Sequence, residues 1–205
     1  MSAEKFDLKA ATWDQDPDKI AQAQHVARTI AARVPLGRWM RLLEYGAGTG
    51  LVSQELAGRV GTLTLADNSS GMREVITAKI QSGRIPPARV WDLDLEADEV
   101  PAETFEVIVT SMVMHHVRNL DRVLAGFTEL LEPGGWLCIA DLDREDGSFH
   151  THDFDGHHGF DRTELTATLR AQGFTNVAAG DCGQILRDEV PYSVFLATAR
   201  WPLSS

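Results

Sequence analysis

The chain is poor in cysteine, in positive charge and in long apolar runs, and each shortage excludes a class of protein. Its 205 residues include only two cysteines, Cys138 and Cys182, which make no disulfide framework. A helix that crosses a bilayer needs about 20 consecutive apolar residues, and no apolar run in this sequence is nearly that long. No signal-peptide pattern is present. We therefore predict a cytosolic protein with no membrane segment.

Basic residues are also outnumbered: 19 Lys and Arg face 30 Asp and Glu, a formal net charge of -11. No cluster of Lys or Arg forms the positive stripe that a nucleic acid or an anionic membrane surface requires. The charge therefore favours a small-molecule partner that is neutral or cationic.

Segments with strand character alternate with segments of helical period along most of the chain. Strands are predicted at 40–43, 62–66, 89–91, 105–110, 136–140, 176–179 and 192–199, and helices at 18–31, 51–57, 71–81, 120–131 and 160–173. Residues 1–17 are predicted to be irregular. The alternation predicts an α/β fold: a doubly wound, mostly parallel sheet with helices on both faces, and ligands at the carboxyl ends of the strands. Since no linker or repeat interrupts the chain, we predict one domain over residues 1–205.

The most informative stretch is Glu44–Gly50, EYGAGTG, which joins the first strand of the predicted sheet to a helix. Its glycines let the backbone approach a ligand closely, and the N–H groups of the following helix face the same crevice. The spacing is G-x-G-x-G rather than the G-x-G-x-x-G of dinucleotide-binding proteins. Glu44 would repel a phosphate and attract a cationic group, so the turn favours a ligand with a cationic end.

Later segments agree with this interpretation and point to a family. They are Asp67-Asn68-Ser69-Ser70-Gly71-Met72, Trp91-Asp92-Leu93, the stretch from Phe105 to Val117, and Leu130-Leu131-Glu132-Pro133-Gly134-Gly135-Trp136-Leu137. Together with the glycine turn they resemble the class I, Rossmann-like, S-adenosylmethionine-dependent methyltransferases of the small-molecule type. The resemblance covers about residues 10 to 199.

The resemblance implies a seven-stranded sheet and a set of cofactor contacts. The turn would hold the amino-acid end of S-adenosylmethionine, Asp67 its ribose, Asp92 and the Leu93 backbone its adenine, and Ser111 would lie beside the sulfonium. The implied cofactor-binding residues are Glu44, Tyr45, Gly46, Ala47, Gly48, Gly50, Asp67, Asn68, Met72, Asp92, Leu93 and Ser111. Met72 has an alternative role as a core residue of its helix.

The acceptor must be selected by the few segments outside this shared core. These are residues 1–35, an N-terminal cap segment and helix; the region after His116; and residues 142–160, a predicted substrate lid. Trp13 would either close over the ligands or pack the first helix onto the sheet.

Histidines are concentrated at two places that should overlook the same strand ends. His115 and His116 follow the fourth strand, and one of them is predicted to face the crevice as a catalytic base while the other packs. His150, His152, His157 and His158 lie in the loop after the fifth strand. Their H-x-H spacing could serve zinc or iron. We favour a lid closed by Phe149, Phe154 and Phe160, and predict no metal ligands, because a loop with Gly156 and Gly159 does not fix coordination geometry.

The sequence thus predicts a methyltransferase that uses S-adenosylmethionine and acts on a small molecule by in-line transfer. A binding protein that keeps the cofactor pocket without catalysis is one alternative. A nicotinamide-dependent oxidoreductase and a metal-dependent hydrolase built on the histidine loop are less favoured. The sequence selects neither the acceptor atom nor an oligomeric state.

Overall fold

The structure is a computed structural model that describes residues 3–150 and 154–203. The strands are β1 Arg41–Tyr45, β2 Thr62–Ala66, β3 Arg89–Trp91, β4 Phe105–Ser111, β5 Leu131–Leu142, β6 Thr175–Arg187 and β7 Val190–Arg200. The helices are α1 Ala3–Ala10, α2 Pro17–Arg33, α3 Leu51–Leu56, α4 Ser70–Gln81, α5 Leu120–Leu130 and α6 Arg162–Ala171, with 3-10 turns at Trp13–Gln15 and Met114–His116. Within the described residues, none of these helices has the length and apolar character needed to cross a membrane.

The strands form one sheet in the order β3-β2-β1-β4-β5-β7-β6. The first five strands run parallel, and β7 is antiparallel to both β5 and β6. The strand order reverses between β1 and β4. Strands β2 and β3 follow β1 towards one edge of the sheet, and the strands after β4 lie towards the other edge. A crevice forms at such a reversal, outside the carboxyl ends of the strands. The predicted mostly parallel, seven-stranded α/β fold is confirmed.

Helices cover both faces of the sheet, as predicted. Leu42 and Leu43 are neighbours on β1 and alternate between the two faces. Leu42 packs in a cluster with side chains of α2 and α3, whereas Leu43 packs in a second cluster with side chains of α5 and α6. Both leucines are fully buried, so the centre of the sheet is rigidly packed and can fix the loops at its edge.

The prediction that the chain is irregular before Asp18 is wrong. Residues Ala3–Ala10 form α1, and a 3-10 turn follows at Trp13–Gln15. So short a helix is marginal alone, and its few apolar residues give a weak periodic signal. Its stabilising contacts are distant in sequence: the Asp7 carboxylate accepts from Ser69 Oγ at 2.6 Å and from Gly71 N at 2.8 Å.

The later strands are longer than predicted. β5 begins at Leu131 rather than Trp136, because Leu131 pairs with Phe105 before a shift of register accommodates the Pro-Gly-Gly segment. β6 and β7 extend into a hairpin whose turn residues, Asp188 and Glu189, both have positive φ. That conformation matches the twist of a tight hairpin. The sequence around it lacks the Asn-Gly or Asp-Gly pair that would have indicated the turn.

The loop after β5 folds back on the sheet and ends in α6, which begins at Arg162 rather than Phe160. Phe160 forms a β-bridge with Asp143, and its N–H donates to the Leu142 carbonyl at 2.9 Å. Glu145 N donates to the His158 carbonyl at 3.0 Å. The described part of the predicted lid is therefore tied to its own starting strand.

Candidate active site

The glycine turn lies at the carboxyl end of β1, where the strand order reverses. A Cβ at Gly46 would lie 2.4 Å from Val113 Cγ2, so glycine is required there by the close approach of the chain after β4. At Gly48, where φ is +56°, a Cβ would meet no atom of the described residues within 4 Å. The backbone at Gly48 therefore borders open space, as a turn that cradles a ligand must.

Glu44 supports this turn from inside. It is 2% exposed, and its Oε2 accepts from Ser53 N in the first turn of α3 at 2.9 Å. Burial raises the pKa of Glu44 to about 7, against the opposing effect of the hydrogen bonds from Ser53. The carboxylate thus fixes the strand-to-helix geometry, while its predicted contact with the cofactor stays a prediction.

The buried carboxyl group of Glu44 should make the stability depend on pH. Its folded-state pKa of about 7 exceeds the ordinary value of 4.5, so its stabilising contribution is present below pH 4.5 and is lost as the pH rises through 7. We expect Glu44→Gln to leave the free energy of unfolding unchanged near pH 4.5 and to raise it at pH 8 by an amount on the order of 3 kcal/mol. Chemical denaturation at the two pH values measures the difference.

Glu55→Gln is the matched control, because Glu55 is an exposed residue of the neighbouring α3. It should show no such pH-dependent gain. Equal destabilisation by Glu44→Gln at both pH values would mean that the carboxylate is not desolvated as the structure indicates.

Asp67 follows β2 and contacts the glycine turn directly. Its Oδ2 accepts from Gly48 N at 2.7 Å and its Oδ1 accepts from Ser69 N at 2.9 Å. The side chain is 8% exposed, and burial raises the pKa of its carboxyl group. Each oxygen retains a lone pair for a further donor. The arrangement is compatible with the predicted acceptance of two ribose hydroxyls.

The other predicted contacts of ribose and adenine differ in accessibility. Asn68 is exposed and donates to Asp94 Oδ2 at 3.0 Å. Met72 is 1% exposed, as expected of the alternative role in the core of α4. The Asp92 side chain is 67% exposed and accepts from Arg73 Nη1 at 2.9 Å, whereas Leu93 is buried. The direct cofactor contacts of these residues remain predictions.

Tyr45 and Ser111 lie on the two strands that flank the crevice. The Tyr45 ring points into the core, where it meets Phe127 edge-on at 5.3 Å and its hydroxyl accepts from Leu95 N. Only the backbone of Tyr45 is therefore placed to contact a ligand. Ser111 is half-buried and ends β4, and Met112 after it has a φ of +59°.

The N-terminal segment, which the sequence predicted as a cap, lies beside the glycine turn and α4, although no motif indicated its contacts. Asp14 accepts from Thr49 Oγ1 in the glycine turn and pairs with the buried Lys79 of α4, both at 2.5 Å. Trp13 contacts Phe6 at 6.1 Å, and the Lys19 ammonium lies 4.6 Å from its ring. Trp13 thus packs within the N-terminal segment, and a direct contact with a ligand stays a prediction.

His115 is the most firmly positioned polar group on the other side of the crevice. It is 1% exposed, and its Nδ1–H donates to Asp141 Oδ1 at 2.6 Å. Asp141 lies near the end of the neighbouring strand β5. Its carboxylate also accepts from the backbone N of His115 and from Leu142 N. This pairing fixes the ring and leaves Nε2 as the available nitrogen. No sequence motif indicated this pairing of His115 with Asp141.

The prediction that His115 and His116 point in opposite directions is wrong. They lie in the 3-10 turn Met114–His116 rather than on an extended strand, and their ring centroids are 4.0 Å apart. His150 joins them from the loop after β5, with its ring 5.5 Å from each. We call these three residues the histidine cluster.

The remaining residues of the predicted lid are divided. Phe149 and Phe154 border the histidine cluster, with Phe154 stacked on His150 at 3.6 Å. His157 and Phe160 contact each other at 5.3 Å, and His158 donates to Glu145. His152 lies outside the described residues, so the predicted H-x-H pair is not tested.

Comparison with known proteins agrees with this geometry. The sequence pattern of a methyltransferase domain family matches residues 17–179. The chain belongs to this family. The predicted class of S-adenosylmethionine-dependent methyltransferase is thereby confirmed at the level of the family.

Two curated relatives resemble this chain in sequence. An uncharacterized methyltransferase of Schizosaccharomyces pombe is 34% identical over 118 residues, which are 54% of this chain and 42% of the relative. The biotin biosynthesis bifunctional protein BioCD of Bordetella avium is 33% identical over 149 residues, which are 70% of this chain and 30% of the relative. This chain thus spans less than half the length of these relatives.

Two solved structures share the fold of this chain. The N-methyltransferase NodS of Bradyrhizobium japonicum, solved with S-adenosylhomocysteine, is 20% identical, with a TM-score of 0.71 and 97% of each chain covered. A SAM-dependent methyltransferase of Aquifex aeolicus is 15% identical, with a TM-score of 0.71 and 98% of each chain covered.

Proposed function

We propose that the chain transfers the methyl group of S-adenosylmethionine to a small molecule. The observation that carries the proposal is the meeting of two groups at one reversal of strand order. The open glycine turn with Asp67 lies at the ends of β1 and β2, and the His115–Asp141 pair lies at the ends of β4 and β5. One ligand site and one proton-accepting site therefore face the same crevice.

The residues around the turn fit a cationic nucleoside. Asp7 and Asp67 bring carboxylates to the crevice, and the Ser69 hydroxyl that donates to Asp7 lowers the pKa of that carboxyl group. Their field favours a ligand with ammonium and sulfonium groups over a phosphate. The bound cofactor would supply an electrophilic methyl group, and the turn, Asp67 and Ser111 would hold it.

The histidine cluster would face the acceptor. His115 Nε2 can accept a proton from an attacking hydroxyl, thiol or ammonium group, because Asp141 holds the opposite nitrogen. As the acceptor's lone pair forms its bond to the methyl carbon, the electron pair of the broken carbon–sulfur bond remains on sulfur. Phe6, Phe149 and Phe154 surround the imidazoles and would exclude water.

We further propose that residues 1–205 form one domain, in which residues 1–35 cover the cofactor side and residues 142–160 form a lid on the acceptor side. The hydrogen bonds of Asp7 and Asp14 support the first assignment. The placement of Phe149 and Phe154 supports the second. Both cysteines are free and buried, which suits a reduced, cytoplasmic environment. The net charge of -11 disfavours a nucleic-acid acceptor.

A two-part experiment tests the proposal. Calorimetric titrations of the protein with S-adenosylhomocysteine and with NADH are expected to show saturable binding of the first alone. Incubation with methyl-labelled S-adenosylmethionine and a panel of phenols, thiols and amines should then transfer label to one class of acceptor. Binding of NADH alone would favour an oxidoreductase. Binding of S-adenosylhomocysteine without transfer to any acceptor would favour a non-catalytic binding protein.

A further inference from the structure

We propose that His115, His116 and His150 bind one divalent transition-metal ion, with zinc as the expected occupant. Each imidazole offers one nitrogen, and the three nitrogens lie within 4.8 Å of one another. In a tetrahedral zinc site with bonds of about 2.0–2.1 Å, neighbouring nitrogens are about 3.4 Å apart. Small rotations of the side chains would therefore bring the cluster to coordination distance.

The first ligand already has the environment of a metal-bound imidazole. Metal-ligating histidines generally donate their other ring N–H to a carboxylate or carbonyl, which fixes the tautomer and directs the remaining nitrogen to the ion. His115 donates from Nδ1 to Asp141 at 2.6 Å, and both side chains are almost completely buried. The same carboxylate binds the backbone of His115, so ring and backbone are held as one unit.

The third ligand, His150, lies in the loop after β5, and later residues of that loop pack against the first ligand. His157 N donates to the carbonyl of His115 at 2.7 Å, and a Cβ at Gly156 would lie 2.3 Å from that carbonyl oxygen. A Cβ at Gly159 would lie 2.1 Å from the Asp143 carbonyl oxygen. These glycines therefore permit close packing of the loop on the sheet. This removes the reason for which the sequence favoured a lid without metal.

The chemistry of the cluster selects the kind of ion. Its ligands are three imidazoles with no carboxylate among them, which suits zinc and other late first-row ions rather than magnesium or calcium. Phe6 lies edge-on to His116 at 5.5 Å, and Phe149 and Phe154 lie near His115. Such an apolar shell shields the cluster from bulk water.

Three protein ligands leave one coordination position open, as in catalytic zinc sites. If the proposed methyl transfer holds, an acceptor with an ionisable O–H or S–H group would take that position. Coordination lowers the pKa of such a group, so its proton passes to solvent water before the oxygen or sulfur attacks the methyl carbon. With the ion bound, His115 acts as a ligand, and no protein base is needed.

Cobalt(II) titration of the untagged, chelator-treated full chain tests the site without reference to methyl transfer. We expect visible d–d absorption typical of tetrahedral cobalt that saturates at one equivalent and is displaced by zinc. His116→Ala and His150→Ala should each weaken cobalt binding by about 100-fold. His158→Ala, in the same loop, and His25→Ala, on α2, are the matched controls and should bind cobalt like the parent.

Thermal unfolding with and without zinc accompanies the titration, because a variant that fails to fold would also fail to bind. Zinc should stabilise the parent and both controls but neither cluster variant. Absence of a saturable cobalt site, or equal binding by His150→Ala and the parent, would overturn the inference. S-adenosylhomocysteine binding is measured on the same samples. Cofactor binding without cobalt binding rejects the metal site alone, and the reverse rejects the proposed function alone.

Discussion

Asp67→Ala is expected to weaken the binding of S-adenosylhomocysteine by about 30-fold or more, equivalent to about 2 kcal/mol. Asp67 is the only one of the predicted cofactor residues whose carboxylate both faces the turn and binds its backbone, through Gly48 N. The substitution removes the proposed acceptor of the ribose hydroxyls and also the group that accepts from Gly48 N. Isothermal titration calorimetry of the parent and the variant gives the ratio of dissociation constants.

Two further variants separate recognition from folding. Asp67→Asn keeps the size and one acceptor oxygen, so its loss of affinity should be smaller than that of Asp67→Ala. Glu74→Ala changes an exposed residue of α4 and should bind like the parent. Unaltered affinity in Asp67→Ala, with an unchanged unfolding temperature, would show that the ribose does not lie beside β2.

The cofactor side of the crevice could be predicted from the sequence because its determinants are local. The spacing of the glycines within residues 46–50 predicts a tight turn of the backbone. Gly46, Gly48 and Gly50 all have positive φ. Asp67 comes directly after a strand whose pattern of apolar residues was clear. Parallel strands bring their carboxyl ends together, so the proximity of Asp67 to the turn followed from strand order alone.

The acceptor side depended on contacts that no short pattern encodes. The orientation of His115 and His116 was predicted from an extended backbone, whereas a 3-10 turn places their rings side by side. His150 joins them from the loop after β5, and the close packing of Gly156 and Gly159 on the sheet in that loop could not be inferred from glycines that in sequence suggested flexibility.

The contacts of the N-terminal segment also could not be predicted from a short sequence pattern. Asp14 and Lys79 are 65 positions apart in sequence, and only the fold reveals that one neutralises the other beside the glycine turn. Because α1 is short and weakly amphipathic, its structure depends on such distant contacts. The N-terminal segment and the glycine turn are therefore held together by contacts that only the folded chain brings about.

Asp141→Asn is expected to lower kcat for methyl transfer by roughly 100-fold while leaving the affinity for S-adenosylhomocysteine unchanged. An asparagine can accept from His115 Nδ1 only if its amide oxygen, rather than its amide nitrogen, faces the ring. Asparagine also lacks the negative charge that fixes the tautomer of His115. Asp143→Asn is the control on the same stretch of chain, because the Asp143 carboxylate pairs with Arg162 and not with a histidine. It should retain kcat.

The Asp141→Asn variant also decides between two roles of His115. If His115 is a base, kcat falls and the parent itself shows no saturable cobalt binding. If His115 is a metal ligand, cobalt affinity falls together with kcat, because the same hydrogen bond directs Nε2 to the ion. Retention of both quantities in a folded Asp141→Asn protein would show that the His115–Asp141 pair serves only the packing of β4 on β5. The chemistry would then have to be sought at His116 or the acceptor itself.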